Sequence, residues 1–234
     1  MSAKQATGTL ALVGGGEWTE ACRGFDAALL EAAKTDEVFV LPTAAAFEHP
    51  DRAVERARAY FEGIDARVKP LSVLHRAEAE DAEVVAKLAK ARFVYLSDGS
   101  PLHLRSVLKD SPLFEAMVAA YQDGGVLAAS GAGATVVCDP MVDPRGGAYT
   151  VGLGVVAGLA VFPYHGTAAD HLRERSIDLL PNGASLVGID EATALVRDPA
   201  GGWRTEGAGQ VSVYEDGQAA ATFSPGQPVD RLRV

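Results

Sequence analysis

The chain is poor in the residues that staple or stretch a fold. Only two cysteines, Cys22 and Cys138, occur in 234 residues, too few for a disulfide framework, and their scarcity points to a reducing, cytoplasmic setting. No apolar run approaches the roughly 18 residues that would cross a bilayer, and no basic-then-apolar leader opens the chain. Neither export nor membrane insertion is expected. Basic residues are the minority, 21 against 31 acidic, which leaves a net charge of −10. A nucleic-acid groove needs clustered Lys and Arg to displace counterions, so a nucleic-acid partner is excluded, and an anionic membrane surface repels such a chain. His49, His75 and His103 lack partners at metal-ligand spacing, so no metal is expected, and no other cofactor is called for. Linkers rich in Pro, Ser or charge are missing too, and residues 1–234 read as one domain.

What is present is core material, 48% hydrophobic residues, arranged in alternation. Short apolar runs at Thr9 to Val13, Glu37 to Leu41, Ala66 to Leu71, Arg92 to Leu96 and Gly125 to Ala129 read as strands. Amphipathic stretches at Phe25 to Ala33, Asp51 to Glu62, Ala79 to Ala91, Leu102 to Leu108 and Pro112 to Tyr121 read as the helices between them. That order predicts a mostly parallel sheet with helices on both faces, in which ligands sit outside the carboxyl ends of the strands. Small residues gather at those ends: Gly14-Gly15-Gly16, Thr43 to Ala46 and Ser97-Asp98-Gly99-Ser100. The glycine run matches neither the dinucleotide nor the P-loop spacing. Further on, Thr135 to Met141 reads as helix, Asp143 to Tyr149 as a Gly-rich loop, and Val155 to Phe162 as a strand. Ala169 to Leu180 reads as helix and Leu186 to Asp190 and Thr193 to Val196 as short strands. Gln210 to Phe223 reads as a hairpin turning at Asp216-Gly217.

The fifth strand breaks at Ser130-Gly131-Ala132-Gly133-Ala134, small residues that suit the sharp strand-to-helix bend of a nucleophile elbow. The sequences GGGE (Gly14 to Glu17), PTAAA (Pro42 to Ala46), YLSDGSPLHL (Tyr95 to Leu104), AASGAGATVVCDPM (Ala128 to Met141), PYH (Pro163 to His165) and GIDEATALV (Gly188 to Val196) accompany it in order. Together they resemble the cyanophycinase and dipeptidase E family of serine peptidases. The resemblance implies a three-layer α/β sandwich akin to class I glutamine amidotransferases and flavodoxin, closed by the C-terminal hairpin. It also implies a homodimer, a small peptide-like substrate, and a serine, histidine and acid acting together. His165 matches the base and Glu191 the acid. The oxyanion amides would be those of Ala132 and Gly99, with Gly15, Gly16, Asp98, Ser100 and Asp190 on the substrate side.

On the gapless register, however, Gly131 stands where the nucleophilic serine belongs, and loss of such a serine costs roughly a millionfold in turnover. Asp98 replaces a glycine of the family pattern and Pro101 a glutamine. The expected protein is therefore a peptidase relative that binds a small peptide-like or acidic ligand, or a partner, without cleaving it. The alternative is an active hydrolase of aspartyl peptide or isopeptide bonds using Ser130, His165 and Glu191, which needs the bend to shift by one residue. Strand alternation opposes it, because in the unshifted register Ser130 points away from His165. If the rest of the site is intact, Gly131→Ser restores the nucleophile. Cys138, in a Val-Val-Cys run beyond the elbow, reads as buried packing.

Overall fold

A computed structural model describes residues 8–232. Five parallel strands make up the greater part of the main sheet: β1 (Thr9–Val13), β2 (Glu37–Leu41), β3 (Arg67–Pro70), β4 (Phe93–Leu96) and β5 (Val126–Ser130). The sheet order is Trp203–Gly207, Thr193–Arg197, β1, β5, β4, β2, β3, with the first two strands antiparallel additions beside β1. The expected mixed α/β architecture is present, and the order places β1, β5 and β4 side by side at its centre.

Every residue of β1, β4 and β5 is buried, as in a sheet covered on both faces. Alternation sorts the side chains. Leu10, Leu12, Leu127 and Ala129 join the core under the helices Pro101–Leu108 and Pro112–Gln122. Ala11, Val13, Val126 and Ala128 join the other core, under α1 (Arg23–Ala33) and α2 (Pro50–Glu62). Ser130 has the parity of Val126 and Ala128, so the period of two aims its hydroxyl toward the α1 and α2 side.

A second sheet pairs Leu159–Phe162 in parallel with Ser185–Ile189 and continues antiparallel through Val211–Glu215 and Gln218–Phe223. The C-terminal hairpin turns at Asp216 and Gly217, with φ of 51° and 73°, the two positive values that a type I′ turn requires. Three elements differ from the sequence expectation. The helix after the elbow is Ala132–Val137 and stops before Cys138. The carbonyls of Val136 and Val137 accept from Leu153 and Val155 instead of continuing the helical ladder. The charged helix is two pieces, Arg76–Ala79 and Ala82–Leu88, because the Asp81 carboxylate caps the amides of Glu83 and Val84. The Gly-rich loop carries a small hairpin, Met141–Val142 with Tyr149–Thr150.

Candidate active site

The carboxyl ends of β1, β4 and β5 converge on Gly131. Its φ of 49° and ψ of −107° make the sharp bend from β5 into the helix Ala132–Val137. The bend is pinned on both sides: the Gly131 amide donates to Val13 O at 2.9 Å, and the Gly131 carbonyl accepts from the Thr135 amide and hydroxyl, each at 3.0 Å. The elbow backbone is therefore present. A side chain at its tip is opposed twice, by the positive φ and by space. A Cβ built on Gly131 falls no more than 2.5 Å from Cγ and both carboxyl oxygens of Asp98.

Asp98 follows β4, and its carboxylate occupies the position that gives the site its character. One oxygen accepts from the amides of Gly99 and Ala132, each at 2.7 Å, and the other accepts from the Tyr164 hydroxyl. Gly99 and Ala132 are the two amides that the family resemblance assigns to an oxyanion hole. Both of these amides are taken up by a carboxylate of the protein itself. Tyr164 is fixed by its amide bond to Gly14 O at 2.7 Å and by its ring against Gly15, where any Cβ would overlap the ring. Burial, then the nearby Asp98, push its hydroxyl pKa up, so it stays protonated and donating. Its backbone is left-handed, φ 53°, a strained state for a tyrosine that is maintained by these contacts.

Ser130 is fully buried, and its hydroxyl donates to Glu17 at 2.9 Å. Glu17 is itself only 5% exposed, lies 3.6 Å from Arg56, and its second oxygen accepts from the Asp98 amide at 3.4 Å. Burial, then the Asp98 charge, raise its pKa. The serine is thus a bracket for a buried acid.

His165 stands over Gly188, with its amide bonded to Ile189 O at 3.1 Å. Its Nε2 lies 2.7 Å from the Tyr214 hydroxyl and its Nδ1 lies 3.6 Å from an Asp190 oxygen. Asp190 is held in turn by the Gln210 amide at 2.9 Å. Glu191, assigned to the histidine from sequence, instead accepts from Thr167 at 3.0 Å, so the acid beside the imidazole is Asp190. The two are exchanged because they sit in a turn, completed by Ala192 at φ 50°, where strand alternation no longer dictates direction. Burial lowers the His165 pKa, the Asp190 carboxylate opposes that, and Arg173 adds to it. The imidazole is accordingly neutral at pH 7. An NMR titration is expected to place it below the ordinary histidine range, and Asp190→Asn to lower it further; an upward move would contradict the pairing.

The remaining expected site residues are supports. Ser100 caps the helix Pro101–Leu108 through the His103 amide at 3.4 Å. The Gly15 carbonyl accepts from Ala192, and that of Gly16 from Thr19. Cys138 is buried, and burial pushes its thiol pKa far up, as fits a packing residue. Among the described residues no group of three or more His, Cys, Asp or Glu is placed to hold a metal, and no helix is long and apolar enough to cross a membrane. Glu17, Tyr164 and Tyr214 were not singled out from sequence. Tyr164 and Glu17 carried a signal, Tyr164 beside His165 in the PYH run and Glu17 at the end of the GGGE run.

Asp98, Gly99 and Tyr164 form a wall between two cavities. On one side lies a space of about 290 Å³ lined chiefly by apolar groups, among them Val142, Phe162, Pro163, Ala168 and Leu172. On the other lies a polar cleft of about 480 Å³ lined by Gly16, Glu17, His49, Arg52 and Arg56.

The chain is 28% identical over 174 residues to a cyanophycinase from Nostoc sp., covering 68% of this chain and 57% of that protein. It is 27% identical over 193 residues to a cyanophycinase from Synechococcus elongatus, covering 75% and 58%. The matches thus span less than two thirds of the length of these relatives. The crystal structure of a peptidase from an acI-B1 Actinobacterium superposes with a TM-score of 0.87 at 28% identity, over 97% of this chain and 98% of that one. Residues 10–199, which run from β1 past the turn that holds Asp190 and Glu191, match the model of Peptidase family S51, and the chain belongs to that family.

Proposed function

We propose that this S51 chain is a binding protein for a small peptide-like ligand and has lost serine-peptidase turnover. The observation that carries the reading is the Asp98 carboxylate on the amides of Gly99 and Ala132, directly over Gly131. Two contributions to catalysis are removed together. The nucleophile is worth roughly a millionfold, and even a single oxyanion donor is worth about a hundred- to a thousandfold. A carboxylate already bonded to both donors leaves no amide for a tetrahedral oxyanion. The Asp98 carboxylate also repels an acidic group brought to these amides, which favours a neutral or cationic occupant there.

The alternative, hydrolysis by Ser130 with His165 and Glu191, runs against the same geometry. The Ser130 hydroxyl is spent on Glu17, and Glu191 is bonded to Thr167. A fluorophosphonate probe is expected to leave the wild-type chain unlabelled, and Ser130→Ala to change nothing in that result. Labelling of the wild-type chain that disappears in Ser130→Ala would overturn the proposal.

A further inference from the structure

The apolar cavity carries an unbalanced charge, and that combination selects a ligand. Asp98 has three neutral donors, the amides of Gly99 and Ala132 and the Tyr164 hydroxyl, and no cation pairs with it among the described residues. A carboxylate offers about four lone-pair directions. One acceptor site therefore remains on the oxygen shared with Tyr164. The second acid on the cavity wall, Asp143, is already paired with Arg145, at 2.9 and 2.6 Å through two nitrogens of the guanidinium. Of the two arginines that line the polar cleft on the other face, Arg56 is taken up by Glu17 and by the face of Trp18, and Arg52 forms no ion pair with Asp98. What lies beyond Asp98 on the cavity side is apolar: Pro101, Val142, Phe162, Pro163 and Leu172.

We propose that this cavity binds a small ammonium ion carrying an apolar body, with the ammonium on the free acceptor of Asp98 and the body against Val142, Phe162 and Leu172. An amine at the N-terminus of an apolar peptide and a free aryl-alkyl amine share this chemistry. A cavity of about 290 Å³ is at the small end of ligand sites. It suits a compound of about ten heavy atoms, for which affinity is limited to the micromolar to millimolar range. Discrimination comes from the carboxylate. A charge-assisted hydrogen bond is roughly twice as strong as a neutral one, and a second carboxylate brought to Asp98 is repelled. The inference rests on the non-hydrolytic reading, since an Asp98 that holds a ligand also holds the oxyanion amides.

The test is titration calorimetry on the full chain at pH 7 with three isosteres: 2-phenylethylamine, 2-phenylethanol and 3-phenylpropionate. The amine is expected to bind, the alcohol about tenfold or more weakly, and the acid not measurably. Asp98→Asn, which keeps an acceptor for both amides, is expected to weaken the amine about tenfold and leave the alcohol within about twofold. Ala168→Phe, at the cavity wall, is expected to block both. Absence of amine binding overturns the proposal, as does an alcohol or acid that binds equally well, or an Asp98→Asn chain that binds the amine unchanged. Should Asp98→Asn fail to fold, the comparison of the three isosteres on the wild-type chain and on Ala168→Phe decides alone. Fluorophosphonate labelling is a separate readout: a labelled wild-type chain defeats the non-hydrolytic reading without altering the calorimetric ranking.

Discussion

Gly131→Ser made alone is expected to give a chain that stays silent toward a fluorophosphonate and melts well below the wild type. Combined with Asp98→Gly it is expected to label. Restoring the hydroxyl at the elbow looks sufficient from sequence, but the structure adds an obstacle. The new Cβ falls within 2.5 Å of the whole Asp98 carboxyl group, at a φ of 49°. The backbone cost of a side chain at such a φ is about 1–3 kcal/mol, and displacing a carboxylate from two charge-assisted hydrogen bonds adds a similar amount. For a chain of this size each kcal/mol corresponds to roughly 2–4 °C in melting temperature. Asp98→Gly removes the overlap and returns the amides of Gly99 and Ala132 to an incoming oxyanion. A double-mutant cycle on stability is expected to give a coupling of about 1–3 kcal/mol in favour of the pair. Labelling of the single variant would show that Asp98 does not obstruct the elbow. Additive melting temperatures would remove the steric argument. Adding Tyr214→Phe to the pair is expected to speed labelling, because it frees His165 Nε2.

The second large effect lies behind the site. Asp26 is fully buried under α2; one carboxyl oxygen accepts from Tyr60 at 2.8 Å and the other has no hydrogen-bond partner. Burial pushes its pKa from 3.8 up to about 7, against the Tyr60 hydrogen bond that favours the anion. Between those values the unfolded chain has released the proton and the folded chain still holds it. Folding stability therefore falls as pH rises through that window and levels off above the folded pKa. Three pH units at about 1.4 kcal/mol each put the loss on the order of 4 kcal/mol. Glu17, also raised, contributes with the same sign. Asp26→Asn is expected to remove the Asp26 share, so urea midpoints measured from pH 4 to pH 9 should decline less in the variant. At pH 8 the variant should be the more stable protein. Parallel pH profiles for the two chains would refute this account.

Much of this arrangement is legible in the residues because it rests on local signals. The five parallel strands and the elbow follow from apolar period and from small residues at strand ends, both local signals, and the hairpin followed from Asp216-Gly217. The opposed facing of Ser130 also followed, since alternation holds to the end of β5. What was not legible depends on turns and on distant backbone. Glu191 and Asp190 exchange their expected places because direction within a turn is decided by φ values and by the Gln210 amide. The elbow helix ends early because the segment around Leu153 to Val155 captures its carbonyls. Tyr164 reaches Asp98 from a left-handed backbone that no periodicity announces.

The crowding of Gly131 by Asp98 also gives the site a direction in time. Between a chain with serine at the elbow and glycine at position 98, and the present chain, lie two single-substitution intermediates. One carries a side chain at 131 together with Asp98 and suffers the overlap; the other has glycine at both positions and suffers none. Passage in either direction therefore runs through the glycine pair. On the non-hydrolytic reading proposed above, a serine appearing at residue 131 while Asp98 is present is expected to damage the fold before it offers any chemistry, which would make that state hard to leave.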